Sequence, residues 1–233
     1  MRHWKDGKYN LPDPIIVNPN LDHLQPYPFQ KLNRLFEGIT PDPAFSPISL
    51  HIGEPKHATP DFIRQALTHN LAGLAHYPTT LGTKSLRASI AAWLMRRYHL
   101  FAINPDTEII PVNGSREALF SFAQAVIDAS LPQAAVVCPN PFYQIYEGAA
   151  LLAGATPYFL NTLPENDFAL DYAQLPNDIW ARTQLIYVCS PGNPTGRVMS
   201  LDEWQQLFAL SDRYGFVIAA DECYSEIYFD ESR

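Results

Sequence analysis

The sequence predicts an α/β fold with a mostly parallel sheet that is covered by helices on both faces. Short apolar runs at 134–138, 185–189 and 216–220 have the length of strands. Their continuity indicates strands that are buried on both sides. Segments with helical spacing alternate with these runs along the chain, as in α/β proteins. With 47% hydrophobic and 17% charged residues among 233, the chain can bury a core of this kind.

Composition and charge exclude several classes of function. The formal net charge of −8 argues against a nucleic-acid-binding surface, which would be basic. No apolar run is long enough to suggest a membrane span, and the first residues lack the apolar core of a signal sequence. We therefore expect a cytoplasmic protein without nucleic-acid or membrane partners.

The cysteines do not indicate a disulfide or a metal site. Cys138, Cys189 and Cys223 each lie at or just beyond the end of a predicted strand, without CxxC spacing. This placement favours small buried apolar residues. The histidines are scattered and lack the spacing of a metal-binding pair, so no metal is expected.

The first part of the chain is predicted to contain few regular elements. Many of its 21 prolines fall early in the sequence, where they favour extended chain. We expect residues 1–47 to form an N-terminal arm that belongs to a small domain, and residues 48–233 to form a large domain. A short helix is expected over 28–37, and the segment 48–55 alternates in polarity before a turn.

Two helices and a loop are expected next. Thr59 is predicted to cap the first helix, with Pro60 at its first helical position. A loop at 75–82 follows, and it has no helical or strand period, which on its own indicates a plain connector. A second helix is predicted over 84–99. Its apolar face is expected to consist of Leu86, Ile90, Trp93 and Leu94.

From residue 109 onward, strands and helices are predicted to alternate. Ser200 and Glu203 have the spacing of a capping box, which predicts the start of a helix there. The expected order is strand 109–112, a helix after 113–117 that includes Leu119 to Ile127, strand 134–138, helix 145–153, strand 155–160, a polar segment to about 180, strand 185–189, the capped helix and strand 216–220.

Polar residues gather at the predicted carboxyl ends of these strands, where ligands bind in open α/β sheets. Asn113-Gly114-Ser115-Arg116 precedes a helix, whose N-terminus is suited to a phosphate, although an ordinary capped helix start would look the same. The loop 190–196, Ser-Pro-Gly-Asn-Pro-Thr-Gly, has a rigid backbone that would aim Asn193, or it is merely a tight turn. No GxGxxG or GxxxxGK[ST] fingerprint is present.

The last predicted strand ends in an acid. Asp221 follows five apolar residues, and a buried carboxylate is costly unless it meets a cation or hydrogen-bond donors. Tyr224 follows three positions later. Asp221 alone is compatible with a structural salt bridge. A phosphate site, an amide, an acid and a phenol together suit one ligand.

Ser-Pro-x-Asn-Pro-Thr-Gly followed by Asp-Glu-x-Tyr resembles the signature of the class I and II aminotransferases. These are pyridoxal 5'-phosphate enzymes of fold type I. The resemblance covers the chain from about residue 49 to 233. Segments 139–148 and 221–231 look most like the bacterial succinyldiaminopimelate aminotransferases of lysine biosynthesis.

The resemblance implies roles for residues at the strand ends. Asp221 matches the acid that pairs with the pyridine nitrogen of the cofactor and keeps it protonated. Asn193 and Tyr224 match the donors to the phenolic oxygen of the ring. These three residues are the expected catalytic group. Tyr143 matches the aromatic residue that stacks on the ring.

Further roles concern the phosphate and the substrate. Ser115 and Arg116 match positions that bind the cofactor phosphate. Tyr77 matches a tyrosine that reaches the phosphate of the neighbouring subunit, which implies a homodimer. Gly53 matches a loop over the substrate carboxylate, and Asn193 is also expected to contact substrate. Cis peptide bonds, which are frequent in this family before such prolines, are expected at Asn140-Pro141 and Asn193-Pro194.

The family's Schiff-base lysine is not assigned in this sequence. The lysines are Lys5, Lys8, Lys31, Lys56 and Lys84. None follows Asp221, and none lies in the family's Ser-x-x-Lys setting. Arg233 matches none of the family's arginines. We therefore expect the chain to be an N-terminal portion of a longer enzyme, without the C-terminal part of the small domain and without transaminase turnover by itself.

The resulting hypothesis is amino transfer between an amino acid and a 2-oxo acid, with succinyldiaminopimelate and 2-oxoglutarate as the expected pair. Another class I aminotransferase, of aspartate, aromatic or alanine type, stays open, as does a pyridoxal phosphate C–S lyase or an aminocyclopropane-carboxylate synthase. A non-catalytic aminotransferase-like domain is disfavoured, because such regulators carry a DNA-binding module and no helix-turn-helix pattern is visible. A nicotinamide dehydrogenase is disfavoured by the missing glycine fingerprint.

Overall fold

The computed structural model describes residues 18–46, 48, 50, 52–53 and 56–231. Contacts within the chain divide it into two compact units. The first contains the described residues up to Leu35 together with those from Asn113 onward, and the second spans Phe36–Val112. The domain boundary predicted between residues 47 and 48 stays a prediction.

The first unit is built around a parallel four-stranded sheet. The strand order is β2-β1-β3-β4, and every neighbouring pair is parallel. This topology confirms the predicted α/β class. The strands are β1 (Ala135–Asn140), β2 (Thr156–Asn161), β3 (Thr183–Cys189) and β4 (Val217–Asp221).

Helices follow the strands, as the alternation predicted. The α-helices of the described part are α1 (Pro28–Leu35), α2 (Asp61–His69), α3 (Lys84–Tyr98), α4 (Ser115–Val126), α5 (Gln144–Leu152), α6 (Asn177–Trp180) and α7 (Leu201–Tyr214). Short 3-10 helices lie at Pro19–His23, Leu71–Ala75, Pro164–Asn166 and Tyr172–Gln174. None of the helices in the described ranges is both long and apolar enough to cross a membrane.

Both faces of the two central strands, β1 and β3, are buried. Val136 and Tyr187 belong to a cluster with residues of α4 and α5, whereas their neighbours Val137 and Val188 belong to a second cluster with residues of α6 and α7. Successive residues of a strand point to opposite faces, so a sheet with two cores needs apolar residues at every position. This requirement explains the continuous apolar runs in the sequence.

The structure corrects several local predictions. No strand forms at 109–112, where Pro111 lacks the N–H that a central strand would donate. Thr59 does not cap α2: Pro60 occupies the N-cap position, and the helix begins at Asp61. Residues 1–17 of the predicted N-terminal arm lie outside the described ranges, as do Ser49, His51, Glu54 and Pro55 of the alternating segment 48–55.

The buried side of α3 also differs from the predicted apolar face. Leu86 and Trp93 remain 48% and 38% exposed, whereas Arg87 and Ala91 are buried. Arg87 is buried because its guanidinium binds two loops of the second unit. Its Nη1 donates to the carbonyl oxygens of Leu81 and Gly82 at 3.1 and 2.7 Å.

The other guanidinium nitrogens of Arg87 bind the loop that follows α3. Its Nε donates to the Pro105 carbonyl at 2.9 Å, and its Nη2 pairs with Asp106 at 2.9 Å. Arg87 therefore joins the loop after Tyr77 to the loop after α3. The hydrogen bond from Arg87 also holds the pKa of the Asp106 carboxyl below its ordinary value.

Replacing Arg87 with leucine should destabilise the second unit. The change leaves three carbonyl oxygens and a carboxylate without their donor in part-buried contacts, which we expect to cost about 2–3 kcal/mol of unfolding free energy. Denaturant unfolding measures this loss. Arg64→Leu is the matched control, because its exposed pair with Asp61 should contribute less than about 1 kcal/mol. Equal losses in the two variants would contradict a structural role for Arg87.

Candidate active site at the carboxyl edge of the sheet

Asp221 is the last residue of β4 and is buried, with 7% of its surface exposed. Its Oδ2 accepts a hydrogen bond from the Tyr146 hydroxyl at 2.7 Å. Its Oδ1 accepts one from the Cys223 N–H at 3.3 Å. Within the described residues, Asp221 forms no ion pair. Among the described residues, the site thus contains a buried carboxylate that is held by neutral donors and is not paired with a cation.

Asn193 and Tyr224 are linked to each other near this acid. The Asn193 Nδ2 donates to the Tyr224 hydroxyl oxygen at 3.3 Å. The two residues meet because β3 and β4 are neighbours in register, with Cys189 opposite Asp221. The loop after β3 therefore lies beside the loop after β4.

The loop 190–197 has a tightly fixed backbone. Gly192 N donates to the Arg197 carbonyl at 2.8 Å, and Gly196 N donates to the Gly192 carbonyl at 2.7 Å. Gly196 has a φ of 72°, a left-handed conformation that glycine adopts without strain. The cis peptide bonds predicted at Asn140-Pro141 and Asn193-Pro194 are confirmed, and Ser190-Pro191 is also cis.

An ion pair attaches this loop to α7. The Arg197 Nη1 lies 2.9 Å from Oε1 of Glu203, and both side chains are mostly buried. Glu203 also accepts from the Ser200 N–H at 2.8 Å, while the Ser200 hydroxyl accepts from the Glu203 N–H at 3.3 Å. The predicted capping box is confirmed. The arginine extends it, so that the first turn of α7 holds the loop that carries Asn193.

Tyr143 lies directly before α5 and is half-buried. Its ring packs edge-to-face against Tyr146, with ring centroids 5.9 Å apart. Burial raises the pKa of the Tyr143 phenol, the charge of Arg116 opposes that rise, and the charge of Asp221 adds to it. Tyr143 is therefore within electrostatic reach of Arg116 at the start of α4 and of the acid at the end of β4.

Ser115 and Arg116 occupy the first turn of α4. Gly114 is the N-cap residue and provides no side chain to accept from the helix N–H groups. The Arg116 side chain is exposed, and its Nε lies 3.4 Å from Oε1 of Glu117. The start of this helix therefore offers backbone donors and a positive charge without a capping side chain.

Tyr77 and Gly53 belong to the second unit. The Tyr77 side chain is 96% exposed, and Gly53 is also exposed. The structure brings Asp221, Asn193, Tyr224 and Tyr143 together within the first unit, with Ser115 and Arg116 on the adjoining helix. The roles predicted for Tyr77 and Gly53 stay predictions.

The three cysteines differ in their environments. Cys138 is buried and Cys189 is partly buried, but Cys223 is exposed, so the prediction of three buried thiols is wrong for Cys223. It lies beyond the strand, where the chain leaves the core. Partial desolvation of the Cys223 thiol by neighbouring atoms raises its pKa to about 12 although the residue is exposed, and the hydrogen bond and charge of Asp221 add to the rise, so the thiol stays protonated at neutral pH. Nowhere in the described ranges do three metal-ligating side chains cluster.

Tyr146 is the site residue that sequence reasoning missed. The sequence places it in a predicted helix and in the family-like segment 139–148, but assigns it no role in the site. A tyrosine three positions after Tyr143 lies on the same side of a helix, and this spacing is the signal that could have identified it. Its contact with Asp221 joins residues that are far apart in sequence, and no local pattern predicts such a contact.

Comparisons with known proteins identify the family. Residues 46–233 match the family described as aminotransferase class I and II. The chain belongs to this family, whose members depend on pyridoxal phosphate and have the type I fold. The family resemblance drawn from the sequence motifs is thereby confirmed.

Several relatives are similar over most of this chain. It is 37% identical to an LL-diaminopimelate aminotransferase of Nitratidesulfovibrio vulgaris, over 79% of this chain and 47% of that protein. It is 32% identical to the LL-diaminopimelate aminotransferase of Aquifex aeolicus, over 90% of this chain and 54% of that protein. The chain spans about half the length of these curated relatives.

Solved structures agree with this placement. An aminotransferase from Neisseria meningitidis is 50% identical, with a TM-score of 0.88 over 93% of this chain and 55% of that one. The aminotransferase AspB from Helicobacter pylori is 38% identical, with a TM-score of 0.81 over 88% of this chain and 53% of that one.

Replacing Glu203 with glutamine should weaken the attachment of the Asn193 loop. Burial raises the pKa of Glu203, but hydrogen bonds from Ser200 and Arg197 outweigh it and hold this pKa below the ordinary value of 4.5. The carboxylate therefore stabilises the fold above that value, and its contribution is lost as the pH falls through the lower, folded-state pKa. Glu203→Gln should remove about 1–2 kcal/mol at pH 7.

Unfolding free energies measured from pH 7 to pH 3 test this expectation. The difference in unfolding free energy between wild type and Glu203→Gln should become smaller as the pH falls. Asp202→Asn, which changes an exposed carboxylate in the same helical turn, is the control and should differ little from wild type. A gap that stayed constant down to pH 3 would contradict the role of the ionised Glu203.

Proposed function

We propose that this chain forms the pyridoxal phosphate site of an aminotransferase that acts in diaminopimelate synthesis. The observation that carries the proposal is the buried Asp221 carboxylate, which forms no ion pair within the described part of the chain and lies beside the linked pair Asn193 and Tyr224. A buried carboxylate of this kind is stabilised by a cation. The protonated nitrogen of the cofactor ring is such a cation.

The other side chains at this edge of the sheet fit the rest of the cofactor. Asn193 and Tyr224 carry an amide and a phenol that would donate to the ring's phenolic oxygen. Tyr143 offers an aromatic face for stacking. Ser115 and Arg116, at the uncapped N-terminus of α4, supply donors and positive charge for the phosphate.

When bound, pyridoxal phosphate accepts the electron pair that is released when the α-proton of an amino acid leaves. The part of Asp221 is to stay ionised and keep a proton on the ring nitrogen. Asn193 and Tyr224 would donate to the phenolic oxygen and so orient the ring. Arg197 and Glu203 act indirectly, because they fix the loop that carries Asn193.

Two residues of the second unit complete the proposal. Tyr77, whose side chain is exposed, would reach the phosphate bound by a second copy of the chain in a homodimer. Gly53 would belong to a loop over the substrate carboxylate. Both assignments rest on the matching positions in the family's sequence pattern.

The substrate has two candidates. Segments 139–148 and 221–231 resemble the succinyldiaminopimelate aminotransferases, which favours N-succinyl-diaminopimelate with 2-oxoglutarate. The names of the relatives from N. vulgaris and A. aeolicus favour free LL-diaminopimelate instead. The two substrates differ by an acyl group that replaces a positive charge, so an enzyme that binds one well should discriminate against the other.

Steady-state assays of the full-length protein that contains this chain decide between them. Purified protein loaded with pyridoxal phosphate is given 2-oxoglutarate with either donor, and glutamate is measured. We expect kcat/KM for the succinylated donor to exceed that for the free one by at least about tenfold. The reverse preference would establish the LL-diaminopimelate alternative. High turnover with aspartate or aromatic amino acids, and none with either donor, would overturn the proposal.

Asp221→Asn should abolish most of the amino transfer. The amide has the same shape but no negative charge, so it cannot hold a proton on the ring nitrogen. We expect kcat to fall by at least about a hundredfold. Asp212→Asn, at an exposed position of α7, is the control and should retain wild-type rates. An Asp221→Asn protein with near wild-type kcat would remove Asp221 from the proposed mechanism.

A further inference from the structure

The buried hydroxyl of Tyr146 contacts the acid from the protein side. Tyr146 lies in α5, 1% of its surface is exposed, and its hydroxyl donates to Asp221 Oδ2 at 2.7 Å. The side chain therefore approaches Asp221 from the core and is not available to a ligand.

The ring of Tyr146 is held on two sides. It stacks on Tyr187 of β3, with centroids 4.5 Å apart and an interplanar angle of 7°. The Tyr187 hydroxyl in turn donates to the Leu119 carbonyl oxygen of α4 at 2.7 Å. The edge-to-face contact with Tyr143 fixes a further side of the ring. The hydroxyl of Tyr146 thus has one orientation, which points at Asp221.

We propose that Tyr146 is a positioning residue that keeps Asp221 ionised and correctly oriented, and thereby sets the protonation of the cofactor ring nitrogen. The inference rests on the proposed function, since it takes the ligand to be pyridoxal phosphate. Tyr146 acts through Asp221 and touches no reacting atom.

The physical reason is that the Asp221 carboxylate and the ring nitrogen share one proton, and hydrogen bonds to the carboxylate decide which of the two holds it. A hydroxyl that donates to a carboxylate stabilises the ionised form, so the proton between Asp221 and the ring nitrogen stays on the nitrogen. Without this donor, the carboxylate competes better for the proton and the ring loses its positive charge more readily. Burial and the neighbouring Asp221 raise the pKa of the Tyr146 phenol, so it remains a donor throughout the working pH range.

Other titratable groups also surround the acid, and they stay unchanged in the test. Cys189 of β3, Cys223 and Tyr224 beyond β4, and Tyr143 before α5 all interact electrostatically with Asp221. Each has a raised pKa and is neutral near pH 7. The hydroxyl of Tyr146 is the donor that differs between the variants described next.

Tyr146→Phe in the full-length holoenzyme tests the inference. The protein is loaded with pyridoxal phosphate that carries ¹⁵N in the ring, and the nitrogen chemical shift is followed from pH 5 to pH 10 without substrate. We expect the protonated fraction of the ring nitrogen near neutral pH to be lower than in wild type, because part of the shared proton moves to Asp221. With substrate, kcat should fall about tenfold while KM stays within about twofold.

Tyr187→Phe is the matched control. It removes a hydroxyl from the same stack, but that hydroxyl binds the Leu119 carbonyl and not Asp221. Both variants lose one buried hydrogen bond and should lose similar stability, whereas only Tyr146→Phe should shift the nitrogen titration. An equal shift in Tyr187→Phe would overturn the inference, because the effect would then come from packing.

A second variant covers the case in which Tyr146→Phe fails to fold. Incorporation of 3-fluorotyrosine at position 146 keeps the contact and strengthens the donor, so the protonated fraction of the ring nitrogen near neutral pH should be higher than in wild type. An unchanged titration in the folded variants would overturn the inference.

The two proposals fail in different ways. A holoenzyme that shows the nitrogen shift but transfers no amino group overturns the proposed function alone. A wild-type protein that binds no pyridoxal phosphate overturns both.

Discussion

The hydrogen bond between Tyr146 and Asp221 is the interaction on which the rest of the site depends. It joins α5 to the end of β4 and gives the buried carboxylate of Asp221 a hydrogen-bond donor. Asp221 ends β4, and the neighbouring strand β3 leads into the loop that carries Asn193. If Asp221 were mobile, its carboxylate, the Asn193 amide and the Tyr224 phenol would not keep the fixed relative positions that binding one ring requires.

The parallel sheet explains why these groups meet. Strands that run in one direction place all their carboxyl ends at one edge, and the register of β3 and β4 sets Cys189 opposite Asp221. The loops after the two strands are then neighbours by construction. Burial on both faces fixes the register strongly, because a slip by one residue would exchange the side chains of the two cores.

The sequence predicted those parts of the fold that local chemistry determines. The strands follow from continuous apolar runs, and the start of α7 follows from the capping box of Ser200 and Glu203. The sequence predicted less well which side chains are buried by contacts between different elements. The apolar spacing of α3 could not show that Arg87 would be buried with four hydrogen bonds to the loops before and after the helix. Tyr146 was missed for the same reason, since its partner Asp221 lies on another element.

The groups of the site are held by partners that a ligand would not displace. Asp221 is fixed by a tyrosine in the core, and the loop of Asn193 is fixed by Arg197 and Glu203 behind it. Side chains locked in this way lose little conformational entropy when a ligand binds, and they need little reorganisation when charge develops. A site that needs a charged ring held in one orientation gains most from this arrangement, because a carboxylate that could turn toward water would no longer control the proton on the ring.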